Sequence, residues 1–218
     1  MHAAALPAPP IRRAALLCLA AGYVDAYGYV DLGGVFAANM TGNTVLLGIA
    51  AARGDWARIP PYALTLGAFF LGAMAASALK RAILDRPFPP LLVAAALLAV
   101  AERLGLGGDL VLLVLAFAMG LQGASLNRFG GTALQTVVIT STLLNLADGF
   151  VHHGWRAARG GDASGPEMPL LGAAWLTYAV GAAAGVLVSR HLGLPLVPPA
   201  VVLVIVAIDL ALARRNGG

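Results

Sequence analysis

The sequence predicts an all-α polytopic membrane protein with about six transmembrane helices and two short polar helices that are broken or re-entrant. Of its 218 residues, 60% are hydrophobic and only 11% are charged, against roughly 25% charged in a typical soluble domain. Apolar segments recur along the chain, and no polar block between them is long enough to fold alone. We therefore expect one transmembrane domain over residues 14–213, after a disordered tail over residues 1–13.

Eight apolar segments follow one another. They cover residues 14–30, 36–52, 61–79, 90–101, 110–126, 132–150, 170–189 and 198–212. Because about 20 apolar residues cross a bilayer and roughly 17 is the lower end of the usual range, the second and fourth segments are marginal. The sixth segment is polar. The predicted environment is the lipid bilayer, and eight full spans are the alternative to six.

The first segment follows Arg12 and Arg13, as in a signal peptide, but no clear cleavage site follows, so we expect an uncleaved helix. Inside it lies Asp25. A carboxylate in a transmembrane helix costs about 2.5 to 3.5 kcal/mol on insertion scales and normally faces the bundle interior or a cavity. Asp25 is therefore a candidate proton or cation site. The alternative is that it lies near the helix end, in water or capping a turn.

The second segment begins with the polar residues Asn39, Thr41 and Asn43, with Gly42 among them. A polar start to a short apolar helix indicates irregular backbone buried in protein or lining a cavity, because unpaired backbone groups cannot face lipid. Thr41 or Asn39 would cap the helix and leave free N–H groups for a polar or anionic solute. The alternative is polar contact between helices without a ligand.

Small residues recur on one face of the third and seventh segments. Gly72 lies in the third, and Gly181 and Gly185 lie one turn apart in the seventh. Such residues let two helix backbones approach closely, so we expect them to pack helices within the chain. The alternative is a homodimer formed through the Gly181 and Gly185 face.

The second four segments resemble the first four. Gly22 and Ala26 are echoed by Gly120 and Ala124, and later matches keep the same order. Internal duplication is common in transporters. Six spans make the two halves inverted repeats, whereas eight spans make them parallel repeats. The proposed repeats cover residues 14–105 and 109–213.

The second repeat supplies its own polar group. Thr136 and Thr140 lie in the sixth segment, and Gln122 and Asn127 precede it. If inverted repeats bring the two polar helices together from opposite faces, these side chains form the opposing wall of the site around Asp25. The alternative is again polar contact between helices.

Charge placement favours the six-span arrangement slightly. The net charge is +4, but the basic residues lie at segment ends, which is how a polytopic protein fixes its orientation, so nucleic-acid binding is not expected. Six spans put most of the 14 Lys and Arg residues on the side of the N-terminus, which we expect to be cytoplasmic. Asp148 and His152 lie four residues apart, on one face of a helix, as a pair of metal ligands would. No third ligand lies nearby in the sequence, so no metal or cofactor is expected.

Two motifs resemble a known family. Gly22-Tyr23-Val24-Asp25-Ala26, followed by Met40-Thr41-Gly42-Asn43, is similar to the YoaK-like family of bacterial inner-membrane proteins, a domain of unknown function. The resemblance covers essentially the whole chain. The second repeat contains a weaker copy of Met40-Thr41-Gly42, the run Ile139-Thr140-Ser141. Many relatives have Thr-Gly where this chain has Thr140-Ser141. The resemblance implies a roughly six-span, permease-like protein of the bacterial inner membrane and no known substrate.

Three functions fit these features. The first is a small secondary transporter or channel for a small polar or anionic solute, coupled to a proton or cation through Asp25. The second is a membrane-embedded enzyme that uses Asp25 on a lipid-like substrate, and the third is a non-catalytic partner subunit. The lack of an acid–base pair argues against the enzyme, and the duplication argues for transport.

Overall fold

The structure is a computed structural model that describes residues 9–83, 86–126, 128–129, 132–133, 139–158 and 167–215. Its helices are α1 Pro9–Asp31, α2 Met40–Arg53, α3 Ile59–Ala82, α4 Phe88–Leu104, α5 Gly108–Ser125, α6 Ile139–Ala158, α7 Glu167–Leu192 and α8 Val197–Arg215. Two antiparallel strands of two residues each lie between α5 and α6, β1 Arg128–Phe129 and β2 Thr132–Ala133. The helical fold predicted from the sequence is confirmed.

Four of the described helices are long and apolar enough to cross a bilayer. They are Ile59–Ala82, Gly108–Ser125, Met168–His191 and Val197–Arg215. Large apolar side chains on their outer faces are exposed, as Phe70 and Leu187 show. Such an exposed apolar surface is unfavourable in water and favourable in lipid. The chain is therefore a multi-pass membrane protein.

Helix boundaries follow local sequence signals. Asn39 is the N-cap of α2, and Gly54 ends that helix with a φ of 69°. α3 and α4 each begin with prolines in the first turn, where the missing N–H has no helical partner to lose. Gly105 ends α4 with a φ of 57°, a left-handed conformation that glycine adopts without strain.

The bundle is held by close helix pairs that join its two halves. α1 packs along α7, α3 along α5, and α4 against α8. Between α1 and α7 the contact is reciprocal, because a Cβ on Gly22 would meet the backbone of Tyr178 and one on Gly181 would meet the backbone of Leu19. Only glycine permits two helix backbones to approach this closely.

The α3–α5 pair repeats this contact. A Cβ on Gly72 would meet the backbone of Phe117, and one on Gly120 would meet the backbone of Phe69. The glycine face of α7 is covered in the same way, since Gly185 lies against the backbone of Tyr23. Within one chain, then, α1 occupies the face that the sequence also allowed for a homodimer.

α1 and α5 run in opposite directions. A Cβ on Gly108, at the start of α5, would lie 3.6 Å from Cδ2 of Leu32, just after the end of α1. Near the other end of α5, Gln122 Nε2 donates to the carbonyl oxygen of Leu17 at 2.9 Å. The main apolar core lies around these helices. Among its fully buried side chains are Leu17, Leu91, Leu98, Leu115, Met119 and Leu203.

Candidate functional site

Asp25 is the centre of the polar cluster in the first half. It lies on α1, and only 3% of its surface is exposed. Its Oδ1 accepts hydrogen bonds from the backbone N–H groups of Ala38, at 2.6 Å, and Asn39, at 3.0 Å. Its Oδ2 accepts one from the hydroxyl of Tyr178 on α7, at 2.5 Å. The carboxylate thus ties together α1, the start of α2 and α7.

The connecting segment, residues 32–39, brings the start of α2 back to Asp25. Gly33 and Gly34 have φ values of 88° and 80°, a left-handed region that suits glycine and lets the chain reverse after α1. The residues that follow, including Ala37 and Ala38, are buried. The non-helical backbone at Ala37 and Ala38 is therefore enclosed in protein, which is the condition that lipid surroundings impose on irregular backbone.

Two asparagines hold this segment in shape. Asn39 Oδ1 accepts from the backbone N–H of Gly42 at 3.0 Å, which is an N-cap bond. Asn43 is fully buried and binds Phe36 twice. Its Oδ1 accepts from the Phe36 N–H at 3.0 Å, and its Nδ2 donates to the Phe36 carbonyl at 2.7 Å. These bonds satisfy polar groups that would otherwise be unpaired in a buried place.

The start of α2 therefore already lies against a carboxyl group, that of Asp25. Backbone N–H groups and the positive end of the helix dipole favour negative charge at this position. The sequence predicts a polar or anionic solute there, but Ala38 and Asn39 donate to Asp25, and Gly42 donates to Asn39. Thr41 is exposed and lies outside this set of bonds.

The motifs that form this cluster place the chain among known proteins. Residues 13–208 match a family described as protein of unknown function, DUF1275. The chain belongs to this family. Its resemblance to YoaK-like proteins is also confirmed, since it is 29% identical over 143 residues to the UPF0700 transmembrane protein YoaK of Bacillus subtilis (strain 168). That alignment covers 61% of this chain and 64% of the relative, which is less than two thirds of the relative's length. No solved structure matches the chain.

Of the second-half candidate residues of this DUF1275 protein, the structure describes Gln122 and Thr140. Gln122 is fully buried, but its Nε2 binds Leu17, and Leu17 precedes Asp25 by eight residues, about 12 Å along a helix. Thr140 is exposed. Asn127 and Thr136 lie outside the described residues. The antiparallel course of α1 and α5 explains the separation, because it places the end of α5 beside the beginning of α1.

Sequence reasoning missed Tyr178. A tyrosine inside an apolar span is a signal in itself, because a buried hydroxyl needs a partner. Among the described residues, three buried side-chain atoms have no hydrogen-bond partner: the hydroxyl oxygen of Tyr23 on α1, Oε1 of Gln122 on α5, and Nε of Arg86. Within the described residues, no group of three His, Cys, Asp or Glu side chains is placed to hold a metal ion.

Proposed function

We propose that this DUF1275 protein is a small secondary transporter of the bacterial inner membrane, with its N-terminus in the cytoplasm. It carries a small polar solute, and Asp25 couples the movement to a proton or cation. The observation that carries this proposal is the position of Asp25, a buried carboxylate that holds the start of a short helix in one half of the chain and a tyrosine in the other.

The helix directions support six spans. If α2, α3 and α4 all crossed the membrane, α1 and α5 would run the same way. They run in opposite directions, as the contacts of Leu32 with Gly108 and of Gln122 with Leu17 indicate. This supports an α2 that enters and leaves on one side, so that residues 14–105 and 109–213 are inverted repeats.

The surroundings of α2 support the same conclusion. Near its end, Ala50 belongs to a buried cluster with Val35, Tyr62 and Leu112. Val35 follows α1, and Tyr62 and Leu112 lie near the starts of α3 and α5. The end of α2 therefore lies at the end of the bundle where α1 finishes and α3 begins. Inverted repeats with short, broken helices are a common construction of secondary transporters.

The pairing of helices gives Asp25 a way to couple binding to movement. As an anion, Asp25 accepts two backbone N–H groups with one oxygen and the Tyr178 hydroxyl with the other. A proton or cation on the carboxylate competes with these donors and weakens its hold on the connecting segment and α7. Because α1 and α7 belong to different repeats, the charge state of Asp25 then changes the contact between them.

The unpartnered atoms support a polar solute. Leaving a buried donor or acceptor unsatisfied costs about 1 to 3 kcal/mol, yet within the described part of the chain Tyr23 Oη and Gln122 Oε1 are both in this state. A water molecule or a solute with hydroxyl or amide groups would satisfy them. We therefore place the solute path along the buried faces of α1 and α5 that carry these side chains.

Cysteine accessibility tests the proposal without a known solute. Gln122→Cys in a Cys18→Ser background should react with a small water-soluble maleimide in native vesicles, because a transporter must admit water to its path. Leu121→Cys is the matched control, since Leu121 lies at the same depth and is also buried. We expect Gln122→Cys to react at least tenfold faster. Equal rates at the two positions in folded protein would contradict a path at Gln122.

The coupling role of Asp25 is tested on the same reporter. Adding Asp25→Asn should change the labelling rate of Gln122→Cys, because the neutral side chain holds the connecting segment and α7 less strongly than the carboxylate does. Asp31→Asn is the control, since Asp31 is an exposed carboxylate on the same helix and binds Ser189. An unchanged rate with Asp25→Asn would show that Asp25 only holds the fold.

A further inference from the structure

A basic cavity lies between the start of α4 and the end of α8, away from Asp25. Its volume is about 400 Å³. The lining combines Arg86, Arg214 and Arg215 with the apolar side chains Phe88, Ile208 and Leu212. This mixture of three cations and an apolar surface differs from the apolar outer faces of the neighbouring helices.

The positive charge of this cavity is not neutralised by the described residues. Asp209, the acidic residue of α8, accepts hydrogen bonds from the guanidinium groups of Arg12 and Arg13, the second at 2.6 Å. In the part of the chain that the structure describes, no ion pair joins a carboxylate to Arg86, Arg214 or Arg215. In addition, Arg86 Nε is buried and has no hydrogen-bond partner there. A buried guanidinium N–H without an acceptor is costly, so the cavity is suited to an anion.

The combination of charged and apolar side chains in the lining indicates which class of anion fits the cavity. Guanidinium groups match phosphate oxygens in geometry and charge. Ile208 and Leu212, however, are each about half exposed, at 50% and 51%, on the outer face of α8. A free phosphate would leave this apolar side empty, whereas a phospholipid would fill it with the first part of an acyl chain.

The end of the bundle that holds the cavity is strongly basic. α1 begins there, α3 ends there, and the bonds between Asp209 and α1 place the end of α8 there. Its described basic residues are Arg12, Arg13, Lys80, Arg81, Arg86, Arg214 and Arg215. Basic pockets between transmembrane helices at a cytoplasmic surface are suited to anionic lipid headgroups.

From these observations we infer that the cavity binds the phosphodiester headgroup of an anionic phospholipid, with the acyl chain along Ile208 and Leu212. Arg86 contacts the phosphate from within the cavity, and Arg214 and Arg215 contact it from the end of α8. The lipid joins α4 to α8, which are the fourth helices of the two proposed repeats. This inference does not depend on the transport proposal.

Lipid titration of the delipidated full-length protein in a mild non-ionic detergent tests the inference. Dioleoyl phosphatidylglycerol should bind, as counted by native mass spectrometry, and should raise the melting temperature. Dioleoyl phosphatidylcholine has the same acyl chains and should do neither at equal concentration. Replacing all three arginines, as Arg86→Gln, Arg214→Gln and Arg215→Gln together, should weaken binding of the anionic lipid by roughly tenfold or more.

A matched variant separates a built site from general attraction between charges. Arg53→Gln, Arg103→Gln and Arg190→Gln together remove the same charge from exposed positions away from the cavity and should leave lipid binding unchanged. Equal losses in the two triple variants would overturn the inference, as would inorganic phosphate raising the melting temperature as much as the lipid does. If the cavity variant does not fold, Arg215→Gln alone should still weaken binding, since Arg215 is exposed; unchanged binding would count against the site.

Discussion

The α1–α7 pair and the α3–α5 pair have the same packing and different chemistry. Each pair is closed by two glycines that lie against the partner's backbone, Gly22 with Gly181 and Gly72 with Gly120. In the first pair, the third residue after Gly22 is Asp25 and the third before Gly181 is Tyr178, and these two side chains are hydrogen-bonded.

The corresponding positions in the second pair are apolar. The third residue after Gly120 is Gly123, and the third before Gly72 is Phe69. The duplicated feature is thus the close backbone contact, while the buried carboxylate and its tyrosine occur in one pair only. Under the proposed function, both pairs hold the bundle together, and only the α1–α7 pair carries the carboxylate that couples transport.

Changes at the shared glycines should have the largest effect. Gly120→Ala would drive a methyl group into the backbone of Phe69, and Gly22→Ala would do the same at Tyr178. Backbone cannot move aside as a flexible side chain can, so each change should cost about 3 kcal/mol or more. The expected result is little folded protein in detergent extracts, measured by size-exclusion chromatography of a fluorescent fusion.

Gly67→Ala is the matched control, because Gly67 lies in α3 and nothing lies within 4 Å of its added Cβ. In a helix this change should be neutral or stabilise the protein by up to about 1 kcal/mol. If Gly120→Ala were tolerated while Gly22→Ala was not, the two pairs would differ in packing as well as in chemistry, and the comparison would fail.

The next largest effect is expected from Asp25→Ala. It removes the acceptor for the N–H groups of Ala38 and Asn39, and each stranded donor costs roughly 1 to 3 kcal/mol. Asp25→Asn should cost less than Asp25→Ala, because its amide oxygen can still accept both N–H groups, but these bonds are weaker than those to a carboxylate, and this weakening is the one on which the coupling proposal depends. Unfolding midpoints in a denaturing detergent measure both variants.

The pair of substitutions separates structure from function. If Asp25→Asn folds normally but changes the labelling rate of Gln122→Cys, the charge of Asp25 is what matters for coupling. If Asp25→Asn and Asp25→Ala are equally destabilised, the negative charge itself holds the start of α2, and the coupling proposal loses its simplest test.

The packing glycines and the start of α2 could be predicted from the sequence, because their signals lie among neighbouring residues. Gly22 and Gly120 were matched by the residues around them, and the polar start of α2 was visible in Asn39 to Asn43. The partners of these groups depend on long-range packing instead. Tyr178 is 153 residues from Asp25, and no local pattern indicates that α7, rather than α3, packs along α1.

The same limit applies to the position of Gln122. An inverted repeat predicts that polar groups approach from opposite faces, but not how far they penetrate. Gln122 binds Leu17, near the beginning of α1, while Asp25 lies toward its end, so the two polar positions are at different depths. Only the direction and offset of α5 against α1 determine this separation, and both arise from side-chain packing along the whole helix.

The smallest expected effect comes from Tyr178→Phe, which gives the α1–α7 pair the aromatic ring that Phe69 provides in the other pair. It removes one hydrogen bond to Asp25 Oδ2 but leaves both backbone donors on Oδ1, so the cost should be about 1.5 kcal/mol, the lower range for a hydrogen bond to a charged group. Tyr23→Phe is the control, because the Tyr23 hydroxyl is buried without a hydrogen-bond partner among the described residues, so its removal should leave stability unchanged or raise it by up to about 1 to 3 kcal/mol. If the two variants melt at the same temperature, the bond to Tyr178 contributes nothing to the α1–α7 contact. A clear difference between them would show that one hydroxyl group links the charge on α1 to the opposite half of the chain.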